Sequence, residues 1–255
     1  MLILIGAVSI APVTAAQSDQ TPAEIRQKAL AEAGANRWET AEPVLAALAA
    51  GEPVDVQACV QLSRRRLEQD KAKEAVDLLE RATKAAPNQA DLHVQLGNAL
   101  AQRISEVNIM QKGMLAGKMR AAYEKAVELD PSNVAGWAGL SQYFANAPAI
   151  VGGSLEKAEG FAKEVEKRDA YQGALLRGSV EAKKGQVDAA AQQFRRAGEL
   201  KPQEPRAFAA LGYAYARAGR KDEARAAFQT ALQRQPEYLL ALKGLKELEE
   251  LSPKN

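Results

Sequence analysis

The C-terminal half of the sequence repeats itself with a period of 34 residues. Gly178 recurs as Gly212, Gly185 as Gly219, Ala190 as Ala224, Phe194 as Phe228 and Pro202 as Pro236. Upstream, Pro53 and Pro87 keep the same spacing. A period of this size means that one supersecondary unit is used repeatedly, each copy burying its apolar face against the next. In the last copy, Phe208, Leu211 and Tyr215 fall three and four residues apart, as do Ala224, Phe228 and Ala231. That spacing puts each set on one face of a helix. Gly212 lies inside the first helix, where glycine costs about 1 kcal/mol relative to alanine, so a close neighbour is expected against it. Gly219 is placed to end that helix in a left-handed conformation. Asp222 is expected to cap the second helix and Pro236 to stop it. Roughly one residue in five is alanine, which favours helix and suits the small packing positions of such a stack.

The pattern Phe208-x2-Leu211-Gly212-x2-Tyr215, followed by Ala224-x3-Phe228-x2-Ala231 and then Pro236, resembles the tetratricopeptide repeat (TPR). The resemblance implies an all-α fold, a helix-turn-helix solenoid of about six repeats wound into a right-handed superhelix. It extends over 17–251, with units at 22–55, 56–89, 90–133, 134–170, 171–204 and 205–238. A capping helix is expected at 238–251, followed by a short tail at 252–255. The unit at 56–89 keeps Leu62, Ala75, Leu79, Ala82 and Pro87 but carries Ser63 in the glycine position. The unit at 22–55 matches least well, through Ala41, Leu45 and Pro53. Its Pro43 is accommodated if Thr40 caps the second helix, because backbone N–H groups in a first turn have no partner anyway.

Two units break the period. Gly97 and Pro131 are 34 residues apart, where Gly178 and Pro202 are 24 apart, so the unit at 90–133 carries about ten extra residues. They fall around Arg103–Leu115, between its two helices. Met110, Met114 and Met119 lie here and are the only methionines besides Met1. The expectation is that both helices are longer and the methionines fill their shared core; the alternative is a soft apolar surface for a partner. In the unit at 134–170, Trp137, Leu140 and Phe144 are followed by a long loop, Ala145 to Ser154, that contains Pro148. Ser154 is a good N-cap for the next helix. Gly152 and Gly153 either present N–H groups to a small anion or a peptide terminus, or allow the loop to thread past a neighbouring repeat.

Residues 1–16 carry no charged side chain and end in small residues. They read as a signal peptide, cleaved before Ala16 or Gln17, although no basic residue precedes the apolar run. A periplasmic or secreted protein is therefore expected. One cysteine and one histidine exclude a disulfide framework, a Cys-rich zinc site and a multi-histidine metal centre. Cys59 and His93 both fall in large-residue positions of first helices. The 34 basic residues against 32 acidic ones give no electrostatic case for nucleic acid or an anionic membrane as partner. No nucleophile elbow or H-E-x-x-H occurs, Gly113 to Lys118 is one residue short of a P-loop, and Ser154-x2-Lys157 lacks its companion motifs. No catalytic residue, metal or cofactor is expected.

In the family that the sequence resembles, first helices line a concave groove that holds a partner segment. Carried over, that geometry places Gln57, Val60, Gln61, Arg64, Val94, Gln95 and Asn98 along its N-terminal part. Ala138, Gln142, Asn146, Gln172, Leu175, Leu176 and Ser179 follow, and then Arg206, Ala209, Tyr213 and Arg217. Of Arg64, Arg65 and Arg66, only Arg64 is expected to face the groove. Side-chain amides pair with a peptide backbone and arginine pairs with carboxylates. The carboxylate clamp of TPR co-chaperones is not matched, since Val94 and Gly139 stand where Lys and Asn are needed beside Asn98. A non-catalytic scaffold binding a protein segment is the first expectation, capture of a small anion or peptide terminus at Gly152–Ser154 the second, and an enzyme the least favoured.

Overall fold

The structure, a computed structural model, describes residues 21–250. The candidate export signal at 1–16 and the tail at 252–255 lie outside the described residues. Thirteen α-helices and one short 3₁₀ turn make up the described fold. They are α1 (Pro22–Gly34), α2 (Trp38–Ala50), α3 (Val56–Glu68), α4 (Ala72–Ala85), α5 (Ala90–Ile104), α6 (Ile109–Leu129), α7 (Val134–Asn146), α8 (Leu155–Glu166), α9 (Ala170–Lys183), α10 (Val187–Leu200), α11 (Pro205–Arg217), α12 (Lys221–Arg234) and α13 (Leu239–Glu250). The 3₁₀ turn, Ala149–Val151, precedes α8. Each helix packs on its neighbours in sequence, and each odd-numbered helix from α1 to α9 also touches the next odd-numbered one. The result is an all-α helix-turn-helix solenoid of six helical hairpins closed by α13.

Local chemistry sets the helix ends. Thr21 and Glu24 form a reciprocal capping box at α1, and Asp55, Asn108, Asn133, Ser154 and Asp169 each accept a backbone N–H at the start of a helix. Gly185 (φ 77°) and Gly219 (φ 75°) take the left-handed conformation between paired helices, and Asn36 and Asp70 take it at the same point of the first two units. Two expected caps are not formed. Asp222 lies inside the first turn of α12, which starts at Lys221 with Arg220 in the cap position. The tight turn at Gly219, closed by Lys221 N–H to the Gly219 carbonyl at 3.0 Å, brings the helix in early. Likewise α2 begins at Trp38, so Thr40 does not cap it and Pro43 lies inside the helix. The early start is held by Trp38, which is buried and donates its ring N–H to Asn36 at 2.8 Å.

The glycines inside first helices are explained by aromatic rings. A Cβ on Gly178 would come within 2.6 Å of the Phe194 ring, and one on Gly212 within 2.6 Å of Phe228. Phe228 is also pressed from the other side by Gly244 of α13, and Tyr123 is held in the same way between Gly97 and Gly139. Each ring therefore sits in a slot between its own first helix and the next one. Full burial of such a ring contributes about 1.5–3 kcal/mol. The unit at 56–89 uses a smaller pair. Leu79 stands in the aromatic position, and Ser63 fills the space, bonding back to the Val60 carbonyl at 2.8 Å.

The two long units look different. Most of the extra residues in the third unit extend the start of α6, which has 21 residues, rather than lengthening both helices. The methionines do not share a core. Met119 packs against buried residues, but Met110 is 85% and Met114 62% exposed. The added turns of α6 run past the end of α5, so one side of them has no helix to pack on.

Candidate functional site

Several charged side chains tie neighbouring helices and units together. Arg26 pairs with Asp55, and Arg66 with Glu42 (2.6 Å) and Glu74 (2.7 Å). Arg65 stacks over Trp38 and pairs with Glu68. Glu166 receives Arg177 at 2.9 Å as well as Arg196. Burial pushes the Glu166 carboxyl up, but the two guanidiniums outweigh it and hold it below the usual carboxylate range. Glu159 takes Lys163 at 2.7 Å and Lys184 at 2.6 Å. Those two ammonium groups bring its carboxyl from the usual 4.5 to about 2.

Other cations, Arg64, Lys112, Lys183, Arg206 and Arg217 among them, make no ion pair with any described residue. Three of them, Lys183, Arg206 and Arg217, line a cleft of about 370 Å³ on α7, α9 and α11. Gln142 and Asn146 of α7, Ser179 of α9 and Tyr213 of α11 share this cleft, with Leu175 and Leu176 in its floor. No aspartate or glutamate lines it. Lys183 and Ala210 were not anticipated as lining residues. Lys183 lies four residues beyond Ser179, one helical turn along the same face, and that spacing is the signal that would have found it.

The remaining expected groove residues are divided. Gln57, Gln61, Arg64, Gln95, Asn98 and Gln172 lie outside the cleft. Gln57 accepts from Arg26 at 3.0 Å, and Asn98 accepts from the buried Tyr123 hydroxyl at 2.8 Å, whose pKa burial pushes up to about 12. Inside the cleft, Asn146 donates to the Gln142 carbonyl at 2.7 Å, Ser179 to the Leu175 carbonyl at 2.8 Å and Tyr213 to the Leu240 carbonyl of α13 at 3.0 Å. Val94, Ala138 and Ala209 are buried in the packing between helices and do not present a surface, because small and β-branched side chains on a tightly packed first helix are covered by its neighbours.

The long loop after α7 is built from its own hydrogen bonds. The N–H of Gly152 donates to Ala149 at 2.9 Å, that of Gly153 to Pro148 at 3.1 Å and that of Ser154 to Phe144 at 2.9 Å. Ser154 Oγ caps α8 through the Lys157 N–H at 3.2 Å. The three N–H groups expected to hold an anion thus already have partners, and the anion-capture reading of Gly152–Ser154 loses its donors. Gly152 is needed for a φ of 91°. Gly153 is needed because a Cβ there would sit 1.8 Å from the Ala147 carbonyl oxygen.

The same loop closes a second cavity, of about 570 Å³. Its walls are Ile104 of α5, the first turns of α6, Tyr143 of α7, and Pro148, Ile150 and Val151 of the loop. Tyr143 fixes the loop by donating to the Val151 carbonyl at 2.7 Å. Lys112 is the one charged residue among the lining. Gln142 and Asn146 border both cavities.

Cys59 is buried and its thiol is pushed up by burial. His93 Nε2 lies 2.8 Å from the Pro87 carbonyl oxygen. A carbonyl only accepts, so Nε2 carries the proton. Trp137 donates to the Pro131 carbonyl in the same way, at 2.9 Å and from the same position of the next unit. Among the described residues no group of three or more His, Cys, Asp or Glu is arranged to hold a metal ion, and no helix is long and apolar enough to cross a membrane.

Residues 175–238 match the tetratricopeptide repeat family. No curated protein matched the chain. Among solved structures, it is similar to TTC0263, a thermophilic TPR protein of Thermus thermophilus. The two are 24% identical with a TM-score of 0.63, over 76% of this chain and 100% of that one. It is also similar to MamA from Desulfovibrio magneticus, at 16% identity and a TM-score of 0.51, over 72% of this chain and 97% of that one. At such identity the likeness is one of fold.

Proposed function

We propose, from the premise that this chain is a tetratricopeptide-repeat protein, that it is a non-catalytic scaffold whose α7–α9–α11 cleft holds an acidic segment of a protein partner. One observation carries the reading. Cations such as Arg66, Lys184 and Arg196 at the unit seams are paired with carboxylates, whereas Lys183, Arg206 and Arg217 gather in one cleft that no acid lines and form no ion pair. Lys183 and Lys184 make the contrast within one turn, since Lys184 is tied to Glu159 and Glu181. Arginine pairs with carboxylates in a bidentate manner, and Gln142 adds an amide for the segment's backbone. Exposed like charges gathered in a concave site also speed the approach of an oppositely charged partner.

Crosslinking in intact cells followed by mass spectrometry tests the surface directly. Crosslinks to a protein partner should map to α7, α9 and α11, and crosslinks confined to the opposite, convex face would overturn the reading. Arg206→Glu with Arg217→Glu should abolish those crosslinks while the far-ultraviolet helical signal stays unchanged. The uncharged apolar run at 1–16 supports placing this scaffold outside the cytoplasm. Protein from its native cell should then start at Ala16 or Gln17, and a mature chain that keeps Met1 would remove export from the proposal.

A further inference from the structure

The cavity between the extended start of α6 and the loop after α7 belongs to neither the regular packing nor the basic cleft. We infer that it is an anchor site for a bulky aliphatic or aromatic side chain of the same partner segment whose acidic part lies in the α7–α9–α11 cleft. The inference rests on the cleft reading and extends it.

Four observations point the same way. The cavity, of about 570 Å³, has the size of an ordinary small-ligand site and is far larger than a packing defect. Its lining is apolar apart from Lys112, Gln142, Asn146 and the ring-edge hydroxyls of Tyr123 and Tyr143, and both hydroxyls already donate within the protein. Its rim exposes large apolar side chains that a solvated surface does not call for. Ile109 is 85% and Ile150 94% exposed, and Met110 and Met114 of the same α6 segment are exposed as well. Such a grouping marks a contact surface, and methionine adapts to varied apolar partners. The wall is also held in place: Gly153 seats against the Ala147 carbonyl and Tyr143 holds Val151, so little ordering is left to occur on binding.

Continuity and charge decide the occupant. Gln142 and Asn146 border both cavities, so a chain leaving the basic cleft along α7 enters the apolar one directly. The two linings together hold Lys112, Lys183, Arg206 and Arg217 and no acid. The occupant that satisfies both is an extended peptide with an acidic run next to one or two large apolar residues. Burying one such apolar side chain is expected to tighten binding by about ten-fold or more, where ten-fold corresponds to about 1.4 kcal/mol.

The test uses the full chain and three labelled peptides. One carries an acidic run with a Leu-Phe pair, supplied in two versions with the pair at either end. The second replaces the pair with Ala-Ala, and the third replaces the acids with their amides. The blocking variant is Gly113→Leu. Gly113 lines the apolar cavity, and a Cβ there meets no atom within 4 Å, so the side chain enters the cavity without straining α6. The Leu-Phe peptide, in at least one version, should bind about ten-fold or more tighter than the Ala-Ala peptide. Gly113→Leu should erase that difference and leave binding of the Ala-Ala peptide unchanged. Binding should also shift the Met119 methyl resonance, an assignment made simple by the four methionines. The anchor site is overturned if Leu-Phe gives no gain while the acidic peptide binds, or if the gain survives Gly113→Leu, and in either case the cleft reading stands. If no peptide binds, or if the amide peptide binds as well as the acidic one, the cleft reading falls and the anchor site falls with it. Self-association that Gly113→Leu abolishes would assign the cavity to a second copy of the chain and overturn the peptide anchor.

Discussion

The units at 90–170 and those at 171–238 use the same helical hairpin for different ends. In the regular pair, Phe194 and Phe228 each fill a glycine slot, the connecting turns are a few residues around Gly185 and Gly219, and the helices are 13 or 14 residues long. Little apolar surface is left uncovered. In the irregular pair, Tyr123 fills the equivalent slot between Gly97 and Gly139, so the frame is the same. The additions lie outside that frame: extra turns of α6 on one side and the loop after α7 on the other. They meet over the ends of α5 and α7 and enclose a cavity. The lesson is that a repeat frame tolerates insertion at the open ends of its hairpins, and that two insertions on adjacent units together line a cavity that neither lines alone.

If the frame is common to both regions, the slot aromatics should matter equally. Phe228→Ala removes a fully buried ring and is expected to cost about 3–5 kcal/mol in urea denaturation. Tyr123→Ala should fall in the same range. A loss at Tyr123 of less than about 1 kcal/mol would show that the irregular unit is not packed like the regular one.

The Ser63–Leu79 pair sharpens the slot argument. Leu79→Phe alone puts an aromatic ring against a side chain where other units have glycine, and overpacking of this kind costs about 1–3 kcal/mol. Adding Ser63→Gly should recover most of that loss, although the glycine itself costs helix stability of about 1 kcal/mol at most. Simple additivity of the two changes would break the claim that they share one space.

The seam between the two regions has a pH signature. Glu159 of α8 is held by Lys163 one turn on in α8 and by Lys184 at the end of α9, and these two ammonium groups together lower its carboxyl from 4.5 to about 2. A depressed folded-state value stabilises the fold above the unfolded-state value, and that contribution disappears as pH falls through the folded one. Glu159→Gln should therefore lower the Tm at neutral pH and flatten its decline between pH 4.5 and about 2. An acid limb identical to that of the parent would remove the Glu159 pairs, with Lys163 and with Lys184, from the account.

The smallest effects are expected on the exposed face of the insertion. Met110→Gln and Met114→Gln should change stability by no more than about 0.5 kcal/mol each, as for ordinary surface positions. Met119→Gln, which places an amide among buried side chains, should cost clearly more. A large loss at Met110 or Met114 would mean that those side chains are covered in solution.

How far the sequence could be read differs by feature. The helical pairs, the glycine positions and the end of α11 at Gly219 follow from residues three, four and 34 apart, and those relations are local. Pro43 and Asp222 were misplaced by a residue or more because helix starts depend on the buried Trp38 and on the tight turn at Gly219. Arg206, Tyr213 and Arg217 could be named as cleft residues from their places in the repeat, and Lys183 could have been. Which cations lack partners was not readable, since Lys183 and Lys184 are neighbours in sequence and only Lys184 comes within reach of Glu159 and Glu181.

The 34-residue pattern alone fixed the class of fold, the order of its units and the faces its helices bury. It could do so because a solenoid's contacts join each unit only to the next, so a local pattern specifies nearly all of them. The apolar cavity and its junction with the basic cleft came from folding in three dimensions. Ile104, Met119, Tyr143 and Ile150 come together through the direction taken by the extra turns of α6 and through the closing hydrogen bonds of the loop after α7. Those depend on packing between two units that both depart from the period, and no spacing within either one encodes the meeting.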